Sequence, residues 1–317
     1  MRTSPAKALL RAALPIVVSA AMVGAVPAAG GAAAASPAFP AHYAAPYLEI
    51  GSYNADDMAG NMKATGTKFF KLAFLSANSG CSSYWEADDS EGVGGFKSQI
   101  NALQAAGGEV MPSFGGGGGH EVAQTCTNTT SLTAAYANVI NTYSVPRLDF
   151  DIEGPILDDS TSNSRRNAAL AALQTQNPAV QVEYTLPVAP NGLPSEEMGL
   201  LRDAKSKGVK VSVVNLMTMD FGDGESALNN AISAAKATAS QLANLYGISV
   251  SAAYAMIGLT PIAGKNDDDE NFTQANAKTL ETFAASNGVA ELSFWEMYSF
   301  DKKTGYAYSK IFNAITS

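Results

Sequence analysis

Three acidic side chains recur at every second position in the segment Leu148-Asp149-Phe150-Asp151-Ile152-Glu153-Gly154. Successive side chains of a strand point to opposite faces, so Asp149, Asp151 and Glu153 share one face and Leu148, Phe150 and Ile152 the other. If the apolar face packs on helices, the three carboxyls turn into an interior. Like charges crowded out of water respond by retaining protons. A carboxylic acid kept protonated near neutral pH can donate to a departing glycosidic oxygen. A strand whose acidic face simply meets solvent is the plain alternative. The glycine directly after Glu153 permits close approach of a ligand or of backbone.

Such a strand needs neighbours on both sides and a cover over its apolar face. From Tyr47 onward, short β-branched or aromatic runs alternate with longer runs of helical period. The expected strands are Tyr47–Tyr53, Phe69–Ala77, Glu109–Gly116, Arg147–Gly154, Gln181–Val188, Lys210–Phe221, Tyr254–Ile262 and Glu291–Phe300. Amphipathic segments lie between them, at Phe96–Leu103, Leu132–Ile140, Ala168–Leu173, Met198–Ala204, Ala227–Leu245 and Ala275–Ala285, and Tyr306–Ile315 closes the chain. Gly107, Gly208 and Gly288 stand where helix C-caps are expected. Eight strands with interleaved helices predict an α/β fold, a (β/α)8 TIM barrel in one domain. An open doubly wound sheet is the alternative, which a count of eight disfavours. The acidic strand is fourth, and Glu153 comes last on it, near the carboxyl end where barrel active sites open.

The acidic segment resembles the signature of glycoside hydrolase family 18, the chitinase family, whose pattern is D-x-x-D-x-D-x-E on the fourth barrel strand. Asp149, Asp151 and Glu153 fill its last three positions, and Pro146 stands where the longer form has Asp. In this the chain resembles the shorter D-x-D-x-E branch, which includes archaeal-type chitinases. Ser113-Phe114-Gly115-Gly116 resembles the family's S-x-G-G motif and Met217-Thr218-Met219-Asp220 its M-x-Y-D motif. The resemblance implies a substrate-assisted retaining mechanism. Glu153 would be acid and base, Asp151 would bond the acetamide N–H, and Asp149 would tune Asp151. It also implies substrate contacts from Asp220, Met217, Ser113 and Trp295. Met219 replaces a tyrosine that donates to the acetamide oxygen, and Tyr184 on strand five is a candidate to supply that hydroxyl.

The whole 317-residue chain carries 20 basic and 29 acidic residues, a net charge of −9, and only 15% of it is charged. An acidic, charge-poor surface argues against nucleic acid and anionic membrane as partners and leaves neutral polysaccharide open. The basic residues Arg2, Lys7 and Arg11 precede an apolar run, Ala12 to Val26, and a small-residue tract, Ala28 to Ala35. This predicts a secretory signal peptide over residues 1–35, cut between Ala29 and Ser36, with the catalytic barrel at 36–317 and an extracellular location. A transmembrane anchor is less favoured, because Pro15 and Pro27 interrupt a run that is short for a span. Cys81 and Cys126, the only cysteines, are expected to form a disulfide in an oxidising compartment, with two buried thiols as the alternative. His42 and His120 are the only histidines, so neither a metal cluster nor a His-based triad is expected, and no cofactor.

Gly115–Gly119 lacks the lysine of a phosphate-binding loop and is expected to be a flexible loop at the active-site mouth. Asp267-Asp268-Asp269-Glu270 lacks calcium-loop spacing and is expected to be a solvated loop. Tyr84 and Trp85 either form a sugar-stacking platform or pack beside the disulfide. Met111 and Met217 read as core apart from the family match. The expected protein is a secreted, monomeric chitinase acting on chitin or another N-acetylglucosamine polymer. The rivals are an endo-β-N-acetylglucosaminidase on glycans or cell wall and a non-catalytic carbohydrate-binding barrel.

Overall fold

A computed structural model describes Met1 and residues 39–316, except 52–56, 86–87, 119 and 225. Apart from Met1, the expected leader and its cleavage window therefore lie outside the described residues. The residues from Ala35 to Ser317 form one compact unit.

Eight parallel strands close into a ring. The first, β1, comes in two pieces, Tyr43–Ala44 and Tyr47–Glu49. The others are β2 (Phe69–Ser76), β3 (Glu109–Gly115), β4 (Arg147–Asp151), β5 (Gln181–Pro187), β6 (Val211–Met217), β7 (Ile257–Thr260) and β8 (Glu291–Leu292). Each pairs with the next in chain order, and β1 completes the ring. Its Tyr43–Ala44 piece pairs with β8 and its Tyr47–Glu49 piece with β2. Eight helices follow the strands: α1 (Met58–Thr65), α2 (Lys97–Ala105), α3 (Thr129–Tyr143), α4 (Ser160–Gln176), α5 (Ser195–Lys207), α6 (Ala227–Tyr246), α7 (Gln274–Asn287) and α8 (Ala307–Phe312). This is the (β/α)8 barrel that the strand count predicts.

Local chemistry explains where the helices start and stop. Asn128 caps α3 by accepting from the Ser131 N–H at 2.9 Å, and Asp159 caps α4 through the Ser162 N–H at 3.0 Å. Gly208 and Gly288 end α5 and α7 in the left-handed conformation expected of them. Gly107 instead lies one residue beyond the α2 cap, which is Ala106.

Three of the differences between the strand ends and the sequence expectation have a clear local cause. β6 stops at Met217, because Asp220 turns the chain with φ +48°. β7 starts late, because Val250–Tyr254 winds into a helical turn capped by Ser249. β8 is short, because the Glu296 carboxylate accepts from the Tyr298 and Ser299 N–H groups and opens a turn of π-helix at Met297–Asp301.

Period-two alternation divides each strand between two environments. On β4, Leu148 and Phe150 face the helices, where Phe150 stacks on Phe114 at 5.3 Å and meets the edge of Tyr136. Arg147, Asp149 and Asp151 face the barrel axis. The lower barrel interior is ionic: Lys71 pairs with Glu183 and with Glu291 (2.6 Å), and Arg147 pairs with Glu183 at 3.3 Å. Tyr43 donates to Glu291 at 2.6 Å and accepts from Arg147. Buried charges are tolerated when each has an opposite partner, as here. Burial, and next the charge of Glu291, push the Glu183 carboxyl up to about 7.

Cys81 and Cys126 form the expected disulfide, with Cα atoms 4.6 Å apart. Trp85 is fully buried, donating to the Tyr143 hydroxyl at 3.0 Å and meeting the rings of Phe96 and Tyr143. Its burial rules out a sugar-stacking platform at Trp85. Tyr84 donates to Asn78 at 2.8 Å. Among the described residues no helix is long and apolar enough to cross a membrane.

Candidate active site

The carboxyl ends of the strands open onto a cavity of about 390 Å³. Asp151, Glu153, Met217, Met219, Asp220 and Trp295 all line it, together with Tyr47, Phe74, Thr185 and Asp267. Six residues singled out in sequence thus meet at one place, from three separate strand ends.

Glu153 lies two residues past the end of β4 rather than on it. The backbone nevertheless stays extended, with Ile152 N–H donating to Thr185 at 3.0 Å and Glu153 at φ −141°, ψ 168°. The alternation therefore continues and keeps Glu153 on the face of Asp149 and Asp151. A short helix beginning at Gly154 then carries the chain away. Gly117 of the glycine run lies beside Glu153: a Cβ there would come 3.4 Å from Oε1. Gly115 is needed for a different reason. It has φ +102°, and a Cβ would meet the Asp151 carbonyl oxygen at 2.2 Å, a contact only glycine escapes.

Asp149 is the deepest of the three acids and the best supplied with donors. Ser113 donates to its Oδ2 at 2.6 Å and Thr185 to its Oδ1 at 2.8 Å. Asn215 donates to Thr185 at 3.0 Å and accepts from Thr260 at 2.8 Å, extending the chain across the barrel. The Tyr47 hydroxyl lies 3.0 Å from Asp149 Oδ2 and 3.3 Å from Asp151 Oδ2, so its one proton serves either acid. Burial raises the Asp149 pKa, and the Lys71 charge opposes that rise.

Asp151 is pushed well above the carboxylate range by burial and then by the charges of Glu153 and Asp149. Its Oδ1 receives no N–H or hydroxyl, and the Glu153 carboxyl is its side-chain neighbour. Two carboxyls can bond only by sharing a proton. Burial raises Glu153 as well, and the bond to Asp151 works the other way. The two carboxyls thus keep a proton to higher pH than either would in water.

Trp295 and Phe74 stack at 5.6 Å with their planes 10° apart, and Tyr47 completes an aromatic corner at 5.6 Å from Trp295. A flat apolar surface of this kind suits the faces of sugar rings. Met217 and Met219 extend it. Asp220 is exposed, and its Oδ1 already accepts from the Asp267 and Asp268 N–H groups at 2.8 and 3.3 Å. Burial nudges its pKa upward.

Two expectations need correction. Tyr184 does not reach the cavity: it is buried on the outer face of β5, its hydroxyl donating to Asn167 on α4. Ser113 is buried beneath the cavity and bonds Asp149, outside the cavity wall. Four residues that sequence reasoning missed belong to the site. Tyr47 and Thr185 hold the acids, Asp267 stands in the cavity wall, and Lys71 sits below. Lys71 had a signal, since one cation in Phe69-Phe70-Lys71-Leu72 implies a buried counter-charge. Asp267 had none beyond its place in an acidic run.

Comparison with known proteins agrees with the geometry. A protein of Escherichia coli (strain K12) named "Probable bifunctional chitinase/lysozyme" is 33% identical over 279 residues, covering 82% of this chain and 31% of that protein. "Endochitinase 11" of Metarhizium anisopliae is 32% identical, covering 82% of this chain and 53% of its own length. The chain thus spans about a third and about half of these two relatives. The crystal structure of the catalytic domain of a hyperthermophilic chitinase from Pyrococcus furiosus superposes with a TM-score of 0.80 at 31% identity. That match covers 89% of this chain and 97% of the other. Residues 47–314 match the model of glycosyl hydrolases family 18, and with the barrel and its acidic fourth strand in place the chain belongs to that family.

Proposed function

We propose that the chain is a secreted chitinase that hydrolyses β-1,4 links between N-acetylglucosamine units by substrate-assisted, retaining catalysis. The observation that carries this reading is the single face shared by Asp149, Asp151 and Glu153, with the first two buried and Glu153 opening onto an aromatic-walled cavity. A retaining glycosidase with an enzyme nucleophile needs a second carboxylate free to attack. Asp151 is buried and bonded to Glu153, and Asp149 lies deeper under three donors. The substrate's own acetamide oxygen therefore takes the nucleophile's role.

In this scheme the acetamide oxygen attacks the anomeric carbon, and Glu153 gives its proton to the departing oxygen. Asp151 turns from Glu153 to the acetamide N–H and stabilises the positive charge of the oxazolinium ion. Asp149, kept anionic by its donors and by Lys71, balances that charge from below. Glu153, now a carboxylate, draws a proton from water, which opens the ring with net retention. Trp295 supports the sugar, Met217 and Met219 pack its apolar edges, and Asp220 offers its second oxygen to a sugar N–H or hydroxyl. With Tyr184 outside the cavity, Tyr47, Thr185 and Thr260 are the hydroxyls among its described lining residues. Secretion rests on the leader pattern of residues 1–35.

The test is hydrolysis of N-acetyl chito-oligosaccharides by the wild type and by Glu153→Gln. The wild type is expected to cleave them, and the variant to lose about 1,000-fold or more in kcat, the scale of a lost general acid. Intact oligosaccharides with the wild type would refute the chitinase reading. Full activity in the variant would refute the assignment of the acid.

A further inference from the structure

The barrel closes where β1 meets β8, and the backbone rungs of that seam advance two residues at a time. The Tyr43 N–H donates to the Ala290 carbonyl at 3.0 Å, Ala45 to Leu292 at 2.9 Å and Tyr47 to Phe294 at 3.1 Å. One more step of a parallel ladder would join the Glu49 N–H to the Glu296 carbonyl. That carbonyl is already taken, because the Asp301 N–H donates to it at 3.3 Å within the turn of π-helix. The Glu49 N–H bonds the Glu296 carboxylate instead. A side chain thus stands in for the last rung of the seam.

The same carboxylate accepts from the Tyr298 N–H at 2.8 Å, from the Ser299 N–H and from the Ser299 hydroxyl. Glu296 is only 1% exposed. Burial raises its pKa, and these bonds oppose the rise. A carboxylate taken out of water is retained where donors replace the water, as they do here.

The substituted rung lies beside the sugar-facing wall. Glu49 and Trp295, which flank it, both line the cavity. On the β7 side the Trp295 backbone is held at both ends: its N–H donates to Pro261 at 2.9 Å, and its carbonyl accepts from Ala263 at 2.8 Å. On the β1 side the last backbone rung ends at Phe294, one residue short of it. There the Glu296 carboxylate keeps the two strand ends together.

We propose that Glu296 is a positioning residue for sugar binding: its carboxylate completes the barrel seam and thereby sets the Trp295 ring against Phe74 and Tyr47. It touches no substrate and acts through Trp295. The inference rests on the chitinase reading only in taking the ring that stacks there to be a sugar. Without the carboxylate, the Glu49 N–H and the first N–H groups of the π-helical turn lose their acceptor. The seam then parts at its upper end, and Trp295 leaves its stack.

The experiment has two readouts. Trp85 and Trp295 are the only tryptophans, so in a Trp85→Phe parent the tryptophan fluorescence reports Trp295 alone, with no substrate present. Steady-state hydrolysis of N-acetyl chito-oligosaccharides by the same proteins supplies KM and kcat. In Glu296→Ala, acrylamide is expected to quench Trp295 more strongly than in the parent. KM should rise about three- to tenfold with a smaller change in kcat, the scale of a weakened aromatic contact. Glu296→Gln keeps the size and one acceptor oxygen, so it should show smaller shifts in the same directions, and it carries the test if Glu296→Ala does not fold. If either quenching or KM stays at the parent value in the variants that fold, the proposal is overturned and Glu296 only holds the fold. If quenching responds but the parent cleaves no oligosaccharide, the chitinase reading fails while the positioning of Trp295 stands.

Discussion

Ser113 Oγ on β3 donates to Asp149 Oδ2 on β4 at 2.6 Å, and both are fully buried. The bond favours the ionised form of Asp149, which otherwise competes with Asp151 and Glu153 for their shared proton. Removing the donor raises the Asp149 pKa, so the acid takes up a proton at higher pH than before. In Ser113→Ala the acid limb of the kcat profile should move upward. The expected loss in kcat is about tenfold or more, since a hydrogen bond to a charged group is worth about 1.5–3 kcal/mol. The pH dependence of oligosaccharide hydrolysis measures both effects. An unshifted limb would show that Ser113 only fills space.

Tyr184→Phe should leave KM and kcat within about twofold of the wild type and lower stability by about 1 kcal/mol, the ordinary net worth of a buried hydrogen bond. Its hydroxyl bonds Asn167 behind the barrel wall. Steady-state kinetics and denaturant titration read the two quantities. A rise in KM with unchanged stability would return Tyr184 to the substrate.

The misplacement of Tyr184 shows what the sequence does and does not expose. Period two, which aligned Asp149, Asp151 and Glu153, also applies to β5. There Glu183 pairs in register with Asp149, Tyr184 with Phe150 and Thr185 with Asp151. Parity therefore puts Tyr184 on the helix side and Thr185 inside, but parity transfers between strands only once their register is known. The eight strands, the order of helices and the acidic face were legible because each is a local pattern. The Tyr47 contacts to Asp149 and Thr185 span 102 and 138 residues and follow from barrel closure. The short β8 was hidden because Glu296, a cap formed by its own carboxylate, interrupts a run that reads as strand.

Reduction or replacement of the Cys81–Cys126 disulfide should cost about 2–4 kcal/mol of stability. The bridge spans 45 residues, and releasing a loop of that size returns chain entropy on this scale to the unfolded state. Cys81→Ser/Cys126→Ser, compared with wild type by urea unfolding, gives the value. The cavity lining includes neither cysteine, so oligosaccharide KM in the folded variant should be unchanged.

The ionic barrel interior makes stability fall as pH rises. The Glu183 carboxyl titrates in the folded protein at about 7, above the unfolded value of about 4.3. The folded state thus holds that proton more tightly, and the contribution is fully present below the unfolded value. It is lost as pH rises through about 7. Between about pH 5 and about pH 8, wild type should lose on the order of 1–3 kcal/mol more than Glu183→Gln, which cannot titrate. Urea unfolding at the two pH values measures the difference. Equal losses in the two proteins would contradict it.

The central claim is that Glu153 and the substrate's acetamide together effect hydrolysis with retention. Proton NMR of the first-formed product, recorded during wild-type cleavage of an N-acetyl chito-oligosaccharide before mutarotation, tests it most directly. The account predicts that the new reducing end appears as the β anomer, with no such signal from Glu153→Gln. An α anomer at first appearance would contradict it.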